Sequence, residues 1–140
     1  MRSADLEVRM RRFEMALDTP VAPGFAIVAR LDGRGFTRLT RELCRFEAPF
    51  DPRFRDLMAI VCRRLMDCGF NVLLAYSESD EVSLLFHPAE ENFGRKPRKW
   101  ISILAREASA AFSVALGQTA SFDARLSVLP GREQVIAYFR

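Results

Sequence analysis

The sequence predicts an α+β domain of the ferredoxin-like class, in which an antiparallel four-stranded sheet carries two helices on one face. Two observations support this class. After one leading helix, apolar stretches with the period of a strand or of a helix follow in the order β–α–β–β–α–β. Short runs rich in turn-forming residues separate them. The class leaves the other face of the sheet free for a substrate or for further chain.

The N-terminal part of the chain predicts a helix and then a buried strand. Ser3 is suited to cap a helix over 3–17, in which apolar residues recur at helical spacing. A break rich in proline follows, and the apolar run 25–31, rich in β-forming residues, predicts the first strand. We expect this strand to stop before Asp32, where a turn with two glycines runs to Phe36.

The rest of the chain predicts two long helices and three strands. Each long helix presents a broad apolar face, and the two middle strands are joined by the segment 77–81, which is short enough for a hairpin. The predicted elements are a mixed segment over 37–52 with loop near Pro49 and Pro52, a helix over 53–68 ended by Gly69, strands over 71–76 and 82–86, a polar loop over 87–97, a helix over 98–116, a strand over 122–129 and a last helix from Arg132.

Composition indicates one globular domain. The 140 residues are 49% apolar and 28% charged, and 12 of them are Phe, which predicts a core filled by aromatic rings. A net charge of +3 permits a nucleic-acid partner without requiring one. We expect a single domain over 1–140, with no repeat and no linker.

The small number of cysteine and histidine residues disfavours disulfides, a zinc site and a histidine-dependent catalytic triad. The three cysteines form no CxxC pair, which predicts reduced thiols in a cytoplasmic protein. With His87 as the one histidine, a Cys/His zinc site and a Ser–His–Asp triad are both disfavoured. The charged N-terminus lacks the apolar stretch of a signal peptide, and no run is long enough to span a membrane.

Two aspartates flank the strands that this topology makes central neighbours. Asp32 follows the first strand and Asp80 precedes the third, so in an antiparallel pair both carboxylates should converge on one edge of the sheet. Two close carboxylates repel each other unless a cation lies between them. Magnesium, which takes one or two carboxylates together with substrate phosphates, suits such a site.

A turn reading of each aspartate remains open at this point. Asp-Gly is a common turn dipeptide, and the segment SESDE fits a solvated hairpin tip. The expected convergence of Asp32 and Asp80 favours the metal site instead. The glycines of the turn Gly33–Phe36 also allow backbone N–H groups to face an anion, and Arg34 is suited to pair with a phosphate.

Three segments together resemble one family. RLDGRGF (30–36), AYSESDEVSLLF (75–86) and FDARLSVLP (122–130) match, in order, the RxDGRxF, Y-x-x-SDE-x-S and FDxR pattern of the tRNA-histidine guanylyltransferase family, which includes bacterial and archaeal guanylyltransferase-like proteins. The resemblance covers roughly residues 5–140. It implies a polymerase-like palm domain that runs in reverse: it uses GTP and ATP and adds nucleotides to the 5′ end of a tRNA.

The resemblance also implies residue roles. Two magnesium ions would be held by Asp32, the Gly33 carbonyl and Asp80, with Glu81 assisting catalysis. Lys99 would lie near the triphosphate and Asp51 near the base. The full set implied for nucleotide binding is Asp32, Gly33, Arg34, Gly35, Phe36, Thr37, Ser79, Asp80, Lys99 and Asp51.

The sequence departs from the family pattern in several places. Gly35 stands where many members have Asn, Thr37 where eukaryotic members often have His, and Ser77-Glu78 where Gly-Gln is common, so the preferred nucleotide stays open. Members continue well past the fourth strand, so we expect a catalytic fragment that ends in mid-helix. Full-length members tend to form homotetramers.

Two other functions fit the predicted fold. A nucleotide cyclase shares the palm-like fold and the two-aspartate site. A non-catalytic RNA-binding module of this topology would use aromatic residues on the free face of its two central strands. The first strand, FAIVARL, and the third, VSLLF, read instead as buried core.

Overall fold

The computed structural model describes residues 3–46 and 51–140, apart from the side chains of 42 and 43. It confirms the predicted α+β, ferredoxin-like class. The elements are α1 (Ala4–Glu14), β1 (Ala26–Gly33), a short α2 (Phe36–Arg38) that continues as a π-helix (Leu39–Leu43), α3 (Pro52–Met66), β2 (Val72–Glu78), β3 (Glu81–Phe86), a 3₁₀ turn (Asn92–Arg95), α4 (Pro97–Leu116), β4 (Phe122–Leu129) and α5 (Arg132–Tyr138). The loop predicted around Pro49 lies outside the described residues.

The sheet has the strand order β2-β3-β1-β4, and every neighbouring pair is antiparallel. The central strand β1 therefore pairs with β3 on one side and with β4 on the other. Because side chains alternate between the faces of a strand, residues that share a register position also share a face. This alternation divides the sheet into a face covered by α3 and α4 and an open face.

The core lies between the sheet and the two long helices. Aromatic rings fill both of its ends, as the count of phenylalanines predicts. At the end where β1 stops, Phe36 contacts Phe112 and Phe122 with ring centroids 4.9 and 5.0 Å apart. At the other end, fully buried Trp100 packs against Phe86 and Phe70, with ring centroids 4.7 and 5.0 Å apart.

Several element boundaries differ from the predicted ones. Ser3 caps α1 as expected, accepting a hydrogen bond from the Leu6 N–H at 3.3 Å, but this helix ends at Glu14. Met66, in the last turn of α3, is 45% exposed. The hairpin turn shortens to Ser79 and Asp80, since Glu78 and Glu81 pair with each other across β2 and β3.

The open face is partly covered by the C-terminal helix. α5 contacts β1 and β4, and the Tyr138 hydroxyl lies 3.2 Å from the Ser83 Oγ on β3. Ser83 points away from the core because its neighbours Val82 and Leu84 point into it. Further chain therefore does cover part of this face. No helix in the described part of the chain is long and apolar enough to cross a membrane.

Candidate active site

Four carboxylates cross the open face of the sheet in one line. Asp32 on β1 is paired with Glu81 on β3 and with Asp123 on β4, and Glu81 is paired in turn with Glu78 on β2. Neighbouring strands lie about 4.8 Å apart, so this acidic row (Glu78, Glu81, Asp32 and Asp123) brings like charges close together. Such an arrangement is unfavourable unless cations compensate it.

Asp32 and Gly33 end the central strand instead of following it, which corrects the predicted turn. Both residues pair with β4, and Asp32 also pairs with β3, so the ladder on both sides keeps this segment extended. The Gly33 N–H donates a hydrogen bond to the Asp80 carbonyl at 3.0 Å. The structure thus brings Asp80, in the hairpin turn, beside Asp32.

The carboxyl groups around Asp32 resist ionisation. Burial raises the pKa of Asp80, and the negative charge of Asp32 raises it further, against a lowering by a backbone hydrogen bond. A hydrogen bond with Asp32 is the largest of the causes that raise the pKa of Glu81, followed by burial and the charge of Asp32. A bound cation would remove this penalty.

Two arginines that sequence reasoning did not select reach Asp32. Arg30 Nε donates a hydrogen bond to Asp32 Oδ2 at 3.3 Å, and Arg125 Nη2 lies 3.6 Å from the same oxygen. Both belong to the RxDGRxF and FDxR segments. Arg30 precedes Asp32 by two residues, which in a strand puts the two side chains on one face. That spacing could have identified Arg30, whereas Arg125 requires the register of β4.

The turn after β1 is fixed to the core by a glycine. A β-carbon added at Gly33 would lie 2.6 Å from the ring of Phe36. Gly35 has a left-handed backbone with φ of 66°, which glycine and asparagine tolerate best. The Arg34 N–H donates to the Ser121 carbonyl at 2.9 Å, while its side chain is exposed. The turn therefore presents the Arg34 side chain and the first turn of α2 to solvent.

The remaining predicted residues divide into two groups. Thr37 and Ser79 are exposed near Asp32, in α2 and in the hairpin turn. Asp51 is a buried cap of α3: it accepts from the Arg53 N–H at 2.8 Å and forms an ion pair with the Arg53 guanidinium at 2.7 Å. It lies at the same end of the domain, because Phe54 of α3 contacts Phe36.

Lys99 is not brought to the carboxylates. It lies in the first turn of α4 beside Trp100, whose ring packs against Phe86 at the far end of β3. Glu81 and Phe86 are five residues apart on that strand, or about 17 Å. Lys99 therefore lies at the opposite end of the sheet from Asp32 and Glu81, and its place near the triphosphate stays a prediction.

The residues present fit a magnesium site that substrate phosphates and water would complete. Among the described residues, no three His, Cys, Asp or Glu side chains are grouped to hold a metal by themselves. Magnesium does not need such a cage, because it is usually bound by one or two carboxylates, water and substrate phosphates. Asp32 and Asp80, whose charges interact, provide that smaller set of ligands.

A ferredoxin-like sheet with carboxylates on its two central strands defines the palm class of domain. Within that class, residues 7–130 match the family model described as tRNAHis guanylyltransferase, Thg1. Because the match covers most of the 140 residues, the chain belongs to this family.

Individual relatives agree with the family match. The tRNA(His) guanylyltransferase of Schizosaccharomyces pombe is 31% identical over 124 residues, which cover 83% of this chain and 47% of the relative. A bacterial tRNA(His) guanylyltransferase (Thg1)-like protein solved in complex with GTP superimposes with a TM-score of 0.86 at 28% identity, over 96% of this chain and 63% of that one. A bacterial Thg1-like protein in complex with ATP gives a TM-score of 0.85 at 27% identity, with the same shares covered. The chain spans less than half the length of the curated relatives it matches.

Proposed function

We propose that residues 1–140 are the catalytic palm domain of a nucleotidyltransferase that adds GTP, or another nucleoside triphosphate, to the 5′ end of a tRNA in the 3′–5′ direction. The reaction would serve tRNA-His maturation or repair of tRNA 5′ ends. The observation that supports it best is the meeting of Asp32 on β1, Glu81 on β3 and Asp80 in the hairpin turn before β3, beside the turn Gly33–Thr37. The family match and the GTP and ATP complexes of the bacterial relative support the same reaction.

In this proposal Asp32, Asp80 and the Gly33 carbonyl hold two magnesium ions, and Glu81 assists them. The ions, when bound, supply positive charge that stabilises phosphoryl transfer. Burial raises the pKa of Asp80, a hydrogen bond with Asp32 raises that of Glu81, and the negative charge of Asp32 adds to both shifts, so a bound cation would favour the ionised forms. The hydrogen bond from Gly33 to Asp80 keeps the two strands in register.

The protein groups around the ions bind and orient the nucleotide. Arg34 and Thr37 are exposed beside Asp32, and a guanidinium can grip a phosphate through two hydrogen bonds. The backbone from Gly33 to Thr37, which runs from the end of β1 into α2, would lie along the triphosphate. Ser79, which lies in the hairpin turn with a left-handed backbone, would be the remaining residue beside the phosphates. Asp51 would lie toward the base.

The wider setting of the enzyme rests on the family resemblance. We propose that the full-length protein acts in the cytoplasm, where its tRNA is found, and that it forms a homo-oligomer such as a tetramer. Residues 1–140 would be a truncated, single catalytic domain of it.

The open face does not favour the RNA-binding module. Along the described strands β1 and β3, the side chains on this face are Val28, Arg30, Asp32, Glu81, Ser83 and Leu85, none of which is aromatic. Base stacking of the kind such modules use therefore has no platform on the two central strands.

The test is nucleotide addition to a defined RNA. Full-length protein, GTP and Mg²⁺ are incubated with tRNA that is labelled and either 5′-triphosphorylated or shortened by one nucleotide at its 5′ end. We expect growth at the 5′ end, and we expect loss of about 10²–10³-fold or more in rate for Asp32→Asn and Asp80→Asn. Asp67→Asn, on the exposed end of α3, is the matched control.

The outcomes separate the candidate functions. No growth with any nucleotide or tRNA, from folded protein, would contradict the proposal. Formation of a cyclic nucleotide from GTP or ATP without RNA would show a cyclase. Full activity in both aspartate variants would show that the reaction takes place at another site.

A further inference from the structure

Directly behind the acidic row lies a second row of side chains on the same face. Tyr76 is paired with Ser83, Ser83 with Arg30, and Arg30 with Arg125, and each lies two residues from a member of the acidic row on its own strand. Arg30 and Arg125 are therefore like charges in directly opposed positions, which is unfavourable by itself. Something must compensate them.

The compensating group is Asp32. Arg30 Nε and Arg125 Nη2 reach the same oxygen, Oδ2, at 3.3 and 3.6 Å. Arg125 has a second, weaker contact at 4.0 Å with Asp123, which is itself in the acidic row. Two guanidinium groups thus converge on Asp32, which belongs to the acidic row. Their positive charge offsets part of the negative charge of that row.

The two arginines are held differently. Arg30 lies on the central strand beside Ser83, whose Oγ is 3.2 Å from the Tyr138 hydroxyl of α5, and the Arg30 side chain is 36% exposed. Arg125 lies on an edge strand and is 59% exposed. Arg125 is therefore the more solvent-exposed of the two arginines that contact Asp32, and Arg30 is the more enclosed.

We propose that Arg30 and Arg125 are positioning residues that hold Asp32 by its Oδ2 in the absence of a divalent cation and compete with the cation for that carboxylate. This inference rests on the proposed function, because it takes Asp32 as a cation ligand. Binding of the cation releases Arg125 from Asp32. The freed guanidinium stays on the open face, where it can pair with an oxygen of a substrate phosphate.

Direct cation binding tests this competition without any turnover. Mn²⁺ binding to the 140-residue chain is followed by electron paramagnetic resonance for the wild type, Arg125→Gln, Arg125→Lys and Arg34→Gln. Removing a competing charge at about 4 Å should tighten Mn²⁺ binding by roughly three- to tenfold in Arg125→Gln. Arg34→Gln loses the same charge two residues from Asp32 without a contact to it, and should change the affinity by less than about twofold.

The lysine variant separates contact from long-range charge. Lysine keeps the charge but lacks the planar fork of arginine, so Arg125→Lys should bind Mn²⁺ more tightly than the wild type and less tightly than Arg125→Gln. In the wild type, Mg²⁺ should also shift the ¹⁵N signal of the Arg30 Nε–H, and the midpoint should match that of cation binding. Both readouts are independent of nucleotide transfer.

The outcomes distinguish this inference from the proposed function. Cation binding to the wild type with equal affinities in Arg125→Gln and Arg34→Gln would overturn the inference and leave the proposed cation site standing. Tighter binding in Arg34→Gln as well would reduce the effect to general charge, which also overturns it. Absence of binding in all four proteins would overturn the cation site itself, and the inference with it.

Discussion

The ring of Phe36 lies directly on the α-carbon of Gly33, so that a β-carbon at that position would be 2.6 Å from two ring carbons. Phe36 cannot move away easily, because it is 3% exposed and packs against Phe112 and Phe122. This contact joins the aromatic core to the turn beside Asp32. The glycine at position 33 is therefore required by packing, whatever its carbonyl binds.

Alanine at Gly33 should destabilise the fold. The added methyl group forces Phe36 out of its packed position, and overpacking of this kind costs about 1–3 kcal/mol. Urea unfolding measures the change. Gly35→Asn is the control, because a β-carbon there meets no atom within 4 Å and asparagine is among the residues that best tolerate the φ of 66°; it should cost less stability than Gly33→Ala. Equal stability of the two variants would show that the contact is easily relaxed.

Neutralising Asp80 should make the apoprotein more stable at neutral pH. Burial and the charge of Asp32 raise the folded-state pKa of Asp80, so its contribution to stability is largest at low pH and is lost as pH rises through that pKa. Because asparagine does not ionise, Asp80→Asn avoids this loss of stability at neutral pH. Because the group is partly solvated, the gain at pH 7 without divalent cations should be about 1 kcal/mol or less.

A bound divalent cation should stabilise the wild type more than Asp80→Asn and so oppose the effect of the substitution. Mg²⁺ stabilises only the protein that binds it, so it should raise the melting temperature of the wild type more than that of Asp80→Asn. Melting curves of both proteins with EDTA and with Mg²⁺ provide the comparison. A variant that is less stable than the wild type in EDTA at pH 7 would contradict the repulsion inferred for this site.

A buried arginine far from the site should be important for folding. Arg95 is 8% exposed and donates hydrogen bonds to the carbonyls of Val21, Glu90 and Phe25 at 3.2, 3.0 and 2.7 Å. Arg95→Met leaves these acceptors without their donor, which should cost about 2–3 kcal/mol of unfolding free energy. Arg9→Met, at an exposed ion pair on α1, should cost almost nothing. Denaturant unfolding of both variants measures the difference.

Low pH should weaken the ion pair between Asp18, in the segment after α1, and Arg98 of α4. Hydrogen bonds from Arg98, at 2.8 and 2.9 Å, are the largest cause of the lowered pKa of Asp18. A lowered folded-state pKa gives stability that is present above the ordinary pKa of aspartate and is lost as pH falls through the folded value. At pH 7 Asp18→Asn should be less stable than the wild type.

The difference in unfolding free energy between the wild type and Asp18→Asn should shrink as the pH falls below about 4. Urea unfolding between roughly pH 3 and 7 follows it. Asp5→Asn, at an aspartate that is 83% exposed, is the control and should show a smaller difference at every pH. A gap of constant size across this range would mean that Asp18 acts through packing and not through its charge.

The sequence by itself determined the order of the elements and the pairing of the central strands. Apolar periodicity is a local property, and the β–α–β–β–α–β order admits few topologies. That reasoning placed Asp32 and Asp80 at one end of the sheet, and the structure has them there. The motif resemblance also identified the family to which residues 7–130 belong.

Only the tertiary structure decided what surrounds Asp32. Hydrogen bonding to β3 and β4 extends β1 through Asp32 and Gly33, although Asp-Gly favours a turn locally. The register of β4 brings Arg125 to Asp32, and the length of α4 separates Lys99 from it. Such placements depend on contacts between residues distant in the chain, which local patterns do not contain. Sequence therefore predicted the two carboxylates, and the packed sheet added the two arginines that hold one of them.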